Sequence, residues 1–529
     1  MSEQFEPAAQ AAPQLTISVD TERTIGTISR HIFGHFIEHL GRCIYGGVYD
    51  PGSPLADERG FRTDVLEAMQ RLRVPNLRWP GGNFASAYHW EDGIGPKSAR
   101  VPRFDLAWRA LEPNTFGTDE FMAYADTLGA APYLCINTGS GTLDEAARWV
   151  EYCNLPVERF PSRHALLRAE YGHPSPYGVK LWGIGNETYG SWQVGHAGAE
   201  AYARRCREFA YFMRAVDPSI QLVAVGADLP EWDETVIRLT GDTVDYISIH
   251  QYHGSDDYLA TVGAPAYVEQ RLALLAGAID RAAPSLARET PLQIAMDEWN
   301  VCYAAWGTGE VLPAPRGGEY FELYEQVFAL KDALFAAGVF HAMFRQCRHM
   351  GLANLAQMVN ANGMLYTTPE GLLLSSIYHA FDLYANHSGP LALPTTLSAR
   401  RGEVPAFTAE DWRYPGPDYV GLREPFRRFS LRDVPFIDAQ ATLSDDRSTV
   451  YLAVINYHPN EAISATLDFG ARRPTGDVRL TELNGEDSHT PNTFQRPDVT
   501  QLKASTLPQA PGTYAFPPHS ATVLEFRLG

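Results

Sequence analysis

The 529-residue chain reads as an α/β protein, a (β/α)8 TIM barrel followed by a C-terminal all-β sandwich of jelly-roll-like strand pattern. Three observations predict this. Eight short apolar runs, each closing on a polar residue, alternate with helically spaced segments through the first 384 residues. Three of these runs end in glutamates, Glu38, Glu187 and Glu298, and the last two lie 111 positions apart. That interval fits three strand–helix units of roughly 30–40 residues each and puts the pair on strands 4 and 7. From about residue 385 helical spacing disappears, and strand-length runs separated by turn residues replace it.

Taken in order, residues 1–14 form an Ala-, Gln- and Pro-rich tail without a basic or apolar leader region, expected to be disordered. Leu15–Val19 alternates as a strand does. Because the barrel already has eight strands, residues 15–24 are expected to pair into the β domain. The barrel is assigned to 25–384. Its first run, 32–37, ends at Glu38; helically spaced Val65, Leu66, Met69 and Leu72 then lead to LRWPGGN, closing near Asn83. Run 131–139 passes Asn137 before a helix over 144–153, and VKLWGIGNE delivers Asn186 and Glu187. A helix over 199–216 stops at Asp217-Pro218. The remaining runs close at Asp228, Tyr252, Glu298 and Gln357, with helices expected over 268–282 and 319–337. The sandwich is assigned to 385–529. Its first part, 391–428, is rich in Pro, Gly and charge and reads as connecting structure.

Composition narrows the function. A formal charge of −20 without any Lys/Arg cluster excludes a nucleic-acid surface. No run of 18 apolar residues predicts a membrane span. The six cysteines lack CxxC spacing and read as buried thiols. A cytoplasmic protein acting on a small, importable substrate is expected. There is no GxxxxGK[ST], no GxGxxG between strand and helix, and no GxSxG, so nucleotide binding and a serine nucleophile are not indicated.

The chemistry rests on the paired glutamates. A carboxylate at the end of a buried strand is expensive unless partnered or used, and in (β/α)8 barrels the C-terminal strand ends carry the active site. Two such acids suit glycoside hydrolysis, one protonating the leaving oxygen and one attacking or activating water. Asn186 offers an amide to a sugar hydroxyl, Tyr252 a hydroxyl to orient a carboxylate, and Arg78 a cation to keep one ionised. Asp297 adjoins Glu298, and strict strand alternation predicts that only one of them points into the pocket. His35 and His39 in HFIEH are four positions apart in a segment that reads as strand, about 13 Å along it and so projecting apart, and no metal site is expected. The many tryptophans, among them Trp79, Trp90, Trp108, Trp182, Trp192, Trp299 and Trp306, read singly as core more often than as sugar platforms.

Several motifs together resemble family 51 of the glycoside hydrolases, the α-L-arabinofuranosidases: HFIEH, RWPGGNF, WEDGIGP, FGTDEF, GIGNETYG, IHQYHG, DEWNV, NLAQMVN and PPHSATVLEF, in this order from residue 32 to the C-terminus. The resemblance implies a retaining, exo-acting enzyme that releases terminal arabinofuranose from arabinan, arabinoxylan or their oligosaccharides. It implies a homo-oligomer, commonly a hexamer, with no cofactor. It makes Glu187 the acid/base and Glu298 the nucleophile. Glu38, Arg78, Asn83, Asn186, Tyr252 and Gln357 become contacts to the furanose or to the catalytic carboxylates. Cys302 stands where the family usually has tryptophan, which alters the pocket wall unless Trp306 fills the space. A β-xylosidase or endoglucanase on the same barrel, or a sugar-binding protein without turnover, are the alternatives.

Overall fold

The computed structural model of the chain describes residues 15–303, 325–399, 404–410 and 430–529. Eight parallel strands close a barrel in chain order: β1 (Gly34–Phe36), β2 (Asn76–Trp79), β3 (Ala131–Cys135), β4 (Leu181–Ile184), β5 (Gln221–Ala224), β6 (Tyr246–His253), β7 (Gln293–Val301) and β8 (Met350–Ala356). Closure is made by β8 pairing with β1 through Asn354 with Gly34 and Ala356 with Phe36. The strands are apolar almost without interruption because both faces are covered. Inside, Tyr133, Leu181, Val223, Tyr246, Ala295 and Leu352 form their own cluster, one residue from each of six strands. Outside, neighbours such as Leu134, Trp182 and Ile247 pack on the helices.

Those helices are α1 (Thr63–Leu72), α2 (Thr118–Leu128), α3 (Leu143–Asn154), α4 (Arg163–Glu170), α5 (Ala199–Val216), α6 (Pro230–Thr240), α7 (Tyr258–Ala282), α8 (Leu330–Arg345) and α9 (Ser376–Asn386). Most carry one buried stripe, as α1 does with Val65, Leu66, Ala68, Met69 and Leu72. Two differ from expectation. α7 begins at Tyr258 rather than near 268 because Pro265, which reads as a stop, is accommodated inside the helix. α8 runs on to Arg345 and is buried all round from Leu330 to Phe344. The upstream part of the expected 319–337 helix lies largely outside the described residues.

The β region explains why α8 has no polar face. A seven-stranded sheet, ordered Gly26–Thr27, Leu391–Leu393, Ile437–Leu443, Thr449–Asn456, Ser520–Leu528, Pro474–Gly485 and Thr500–Leu507, is buried on both faces over its centre. Val450, Leu452, Val454, Leu524 and Phe526 point to the sandwich core, whereas Ala453, Ile455, Ala521 and Val523 join the barrel's core. This accounts for the unalternating run VYLAVINY. The second sheet holds Thr395–Ala399, Leu15–Val19, Ile463–Asp468 and Thr513–Phe516. Leu15–Val19 pairs there with Thr395–Ala399 and Ile463–Asp468. The stretch read as connecting structure contains strands at Leu391–Leu393, Thr395–Ala399 and Ala406–Glu410; the rest of it lies largely outside the described residues.

Barrel and sandwich are also joined by charge. His341 Nδ1 lies 3.0 Å from Asp438 Oδ2, and Arg345, paired with Glu269 at 2.8 Å, also holds Asp438. Burial raises the Asp438 carboxyl, but Arg345 and His341 outweigh it and hold it well below the usual carboxylate range. Asp438→Ala removes a principal partner of a charge at the interface. A fully buried broken pair typically loses about 3–5 kcal/mol; with Arg345 and Asp438 side chains 26% and 20% exposed, about 2 kcal/mol is expected here. Faster thermal inactivation of the variant checks it. The depressed value makes this stabilisation complete above the ordinary aspartate pKa of about 3.9 and progressively lost below it, so the gap between wild type and variant should narrow in acid.

Candidate active site

Polar side chains converge at the C-terminal rim of the barrel. Arg78, at the end of β2 and 1% exposed, is their hub. Its Nη1 donates to Glu298 Oε1 at 2.7 Å and to the Asp297 carbonyl at 3.1 Å; its Nη2 donates to Asn186 Oδ1 at 2.7 Å. The guanidinium also lies over the Phe36 ring, 4.6 Å from its centroid. Burial disfavours its charge, but Asp297 and Glu298 override that and hold its pKa well above normal. Tyr252 Oη donates to Glu298 Oε2 at 2.8 Å, so both oxygens of that carboxylate are held.

Glu187 follows β4 and adopts a left-handed backbone conformation, φ 40°, directly after Asn186 and Gly185. Its Oε1 faces His250 Nδ1 at 2.9 Å and accepts from Tyr189 Oη at 3.1 Å, while Oε2 accepts from Trp192 Nε1 at 3.0 Å. Gly185, φ 85°, permits this turn: a Cβ there would sit 2.2 Å from Thr138 Oγ1. One carboxylate oxygen of Glu187, one of Glu298 and a ring nitrogen of His250 lie within 4.8 Å of one another.

His250 bridges the acids. Besides Glu187, its Nδ1 lies 3.6 Å from Glu298 Oε2 and its Nε2 3.3 Å from Asp297 Oδ1. Burial alone lowers the imidazole, but Glu298, Asp297 and Glu187 push it up to about 10. Burial raises Glu187, and the hydrogen bond and charge of His250 bring it below normal. The two shifts have one cause, each group favouring the charged form of the other across the 2.9 Å contact.

Glu38, after β1, accepts from the Gly82 and Phe84 N–H groups at 3.0 and 3.1 Å, from Trp108 Nε1 at 3.1 Å and from Gln357 Nε2 at 2.9 Å. Burial and the Glu298 charge push its carboxyl up to about 8, against the Phe84 and Trp108 hydrogen bonds. Asn83 is half-buried and opens the short 3-10 turn Asn83–Ala87, which includes Phe84 and is capped by Gly82. Asn186 Nδ2 and Gln357 Oε1 are buried without a hydrogen-bond partner among the described residues.

The structure thus brings Glu38, Arg78, Asn186, Glu187, Tyr252, Glu298 and Gln357 into one connected array. Strict alternation fails at β7: Ser248 to His250 spans two positions on β6, whereas the paired Ala295 to Glu298 spans three. A β-bulge therefore inserts Asp297, and both acids face the rim network. His250 lies two positions before Tyr252, on the same strand face, and that spacing is the signal that finds it. Trp108 and Trp192 contact Glu38 and Glu187, whereas Trp79, Trp90, Trp182 and Trp299 are core. His35 packs at a tilt against Phe381, and His39 pairs with Glu112 at 2.8 Å. Cys302 is buried beside His253, whose carbonyl accepts from its N–H at 2.7 Å; Trp306 lies outside the described residues.

A parallel eight-stranded barrel with paired glutamates at its C-terminal rim defines the glycoside hydrolase class. Residues 68–267 match the model described as the α-L-arabinofuranosidase 1 domain and 297–520 the α-L-arabinofuranosidase C-terminal domain. The chain is 37% identical over 533 residues to α-L-arabinofuranosidase C of Emericella nidulans, covering 97% of each. It is 34% identical to an intracellular exo-α-(1→5)-L-arabinofuranosidase of Halalkalibacterium halodurans, over 86% of this chain and 87% of that one. The arabinose complex of α-L-arabinofuranosidase from Thermotoga maritima superposes with a TM-score of 0.87 at 43% identity, covering 97% of this chain and all of the other. A family 51 enzyme from Bifidobacterium longum gives 0.84 at 28% identity, covering 98% of this chain and all of the other. The chain belongs to family 51 of the glycoside hydrolases, the α-L-arabinofuranosidases.

Gly82 presses on both halves of the array: a Cβ there would lie 2.8 Å from Glu298 Oε1 and 3.2 Å from Asn186 Nδ2. Gly82→Ala is expected to displace Glu298 by a fraction of an ångström and to lower kcat by about 10²-fold with the fold intact. Steady-state kinetics alongside circular dichroism measure it.

Proposed function

We propose that the enzyme is a retaining, exo-acting α-L-arabinofuranosidase that frees terminal arabinofuranose from arabinan- and arabinoxylan-derived oligosaccharides. Glu298 attacks the anomeric carbon while Glu187 protonates the leaving oxygen. In the second step Glu187 takes the proton of the water that displaces Glu298. The observation that carries this is the approach of Glu187 and Glu298 carboxylate oxygens to within 4.8 Å. Retaining enzymes hold their carboxyl groups about 5–5.5 Å apart, whereas inverting ones leave about 6.5–9.5 Å for an intervening water. Both oxygens of Glu298 are tethered, which suits a nucleophile of fixed direction. The buried Nδ2 of Asn186 and Oε1 of Gln357, without hydrogen-bond partners among the described residues, supply a donor and an acceptor for sugar hydroxyls. The α-(1→5) linkage in the name of the Halalkalibacterium relative is the first one to test.

We assign the barrel to 25–384 and the sandwich to 385–529, with Leu15–Val19 and the short strand Gly26–Thr27 completing the latter. We further infer a cytoplasmic enzyme acting on imported oligosaccharides, assembled as a hexamer; among the described residues no helix is long and apolar enough to cross a membrane, and sedimentation tests the assembly.

Glu298→Ala should lose nearly all activity on 4-nitrophenyl α-L-arabinofuranoside and regain part of it with azide, giving the inverted arabinofuranosyl azide. Glu187→Ala should lose about 10²–10⁴-fold on sugar leaving groups and far less on nitrophenol, with azide giving the retained product. Nuclear magnetic resonance of the products reads the configuration; inversion in the wild-type reaction overturns the mechanism. A parallel assay on the β-xyloside separates the xylosidase alternative.

A further inference from the structure

The bulge in β7 leaves Asp297 buried in the array though the two-step mechanism gives it no role. Its Oδ2 accepts from Tyr133 Oη at 2.7 Å and lies 3.8 Å from Arg78 Nε, and its Oδ1 faces His250 Nε2 at 3.3 Å. Nδ1 of the same ring faces Glu187 and, slightly farther, Glu298. The imidazole is therefore clamped from behind by a carboxylate that reaches neither of the atoms exchanging protons with substrate. A carboxylate behind a histidine fixes the ring orientation and stabilises its charged form.

We propose that Asp297, backed by Tyr133, is a positioning residue that fixes His250 and sets how tightly the Glu187–His250 pair holds the proton delivered to the leaving oxygen. This rests on Glu187 being the acid/base. In the first step the proton held between His250 Nδ1 and Glu187 Oε1 passes through Glu187 to the glycosidic oxygen, leaving a neutral imidazole and an ionised Glu187. In the second step the water proton returns to the pair as Glu298 departs. No proton is gained or lost over the cycle. The charged groups facing His250 are Glu187 after β4 and Asp297 and Glu298 from β7; Arg78 from β2 and Tyr133 from β3 touch Asp297, and Tyr252 touches Glu298. Among these, Asp297 alone adds negative charge without touching the reaction.

The signs of two substitutions differ. Asp297→Asn removes negative charge behind the imidazole, so the pair loses its proton at lower pH. The alkaline limb of kcat/KM on α-1,5-arabinobiose, whose leaving group needs protonation, should move down by about one pH unit. Tyr133→Phe removes a donor that partly neutralises Asp297, so the limb should move up by a smaller amount. A merely structural role lowers kcat/KM evenly across pH, and unmoved limbs in both variants overturn the proposal. Should Asp297→Asn fail to fold, Tyr133→Phe decides alone, an upward limb supporting and an unmoved limb refuting. Azide rescue of Glu187→Ala with retained configuration keeps the acid/base assignment standing even when the limbs do not move. Absence of that retained product overturns the assignment, and the proposal with it.

Discussion

The active site depends on one buried cation. Arg78 ties the ends of β2, β4 and β7 by donating to Glu298, to the Asp297 carbonyl and to Asn186 at once. A guanidinium suits this because its donors lie in a rigid fork, so one side chain fixes the relative positions of three partners. A lysine would supply charge without that geometry. The burial is tolerable because Glu298 and Asp297 neutralise the charge and Phe36 and Tyr133 offer ring faces to it. Removing it would leave Glu298 and Asp297 buried in each other's field, so the same contact holds the fold at the rim and the nucleophile in place.

The scaffold behind this contact is stiff for a related reason. The central β sheet is apolar on both faces, one packed against the smaller sheet and the other against α8 and its neighbours. Fully burying a side chain such as Ile455 is worth about 1.5–3 kcal/mol relative to exposure, and the sheet contributes a row of them. Pro265 in α7 survives inside this packing for the same reason that propensity is a weak guide: tertiary contacts outweigh the loss of one helical hydrogen bond. The sandwich therefore acts as a buttress for barrel helices that would otherwise expose an apolar face.

Much of this was legible in the sequence because its signals are periodic. Eight apolar runs closing on polar residues give the barrel, and five of the closers, Glu38, Glu187, Tyr252, Glu298 and Gln357, meet in the rim network, whereas Asn137 and Asp228 bond elsewhere. What was not legible came from departures from periodicity. Asp297 faces inward because a single extra residue in β7 defeats alternation, and no composition rule marks a bulge with no glycine. Trp108 reaches Glu38 from a loop between β2 and α2, where spacing carries no information. His250 was within reach, since it shares a face with Tyr252. The division of the tryptophans into core and site likewise follows from loop paths rather than from residue type.

The charge balance of the rim fits the chemistry better than it fits stability. Three acids, Glu187, Asp297 and Glu298, face two cations, Arg78 and His250, in a place where an uncompensated charge is expensive, while Glu38, pushed up to about 8, stays mostly protonated at neutral pH. A neutral sugar gains little from that excess. The transition state of glycoside cleavage is different, because positive charge develops at the anomeric carbon and ring oxygen. A surplus of fixed negative charge in a poorly screened site attracts that species more than the substrate, which is the differential stabilisation that raises kcat. The donors around Glu38, two backbone N–H groups with Trp108 and Gln357, are all neutral: they hold this buried acid in place without adding a third positive charge that would cancel the field.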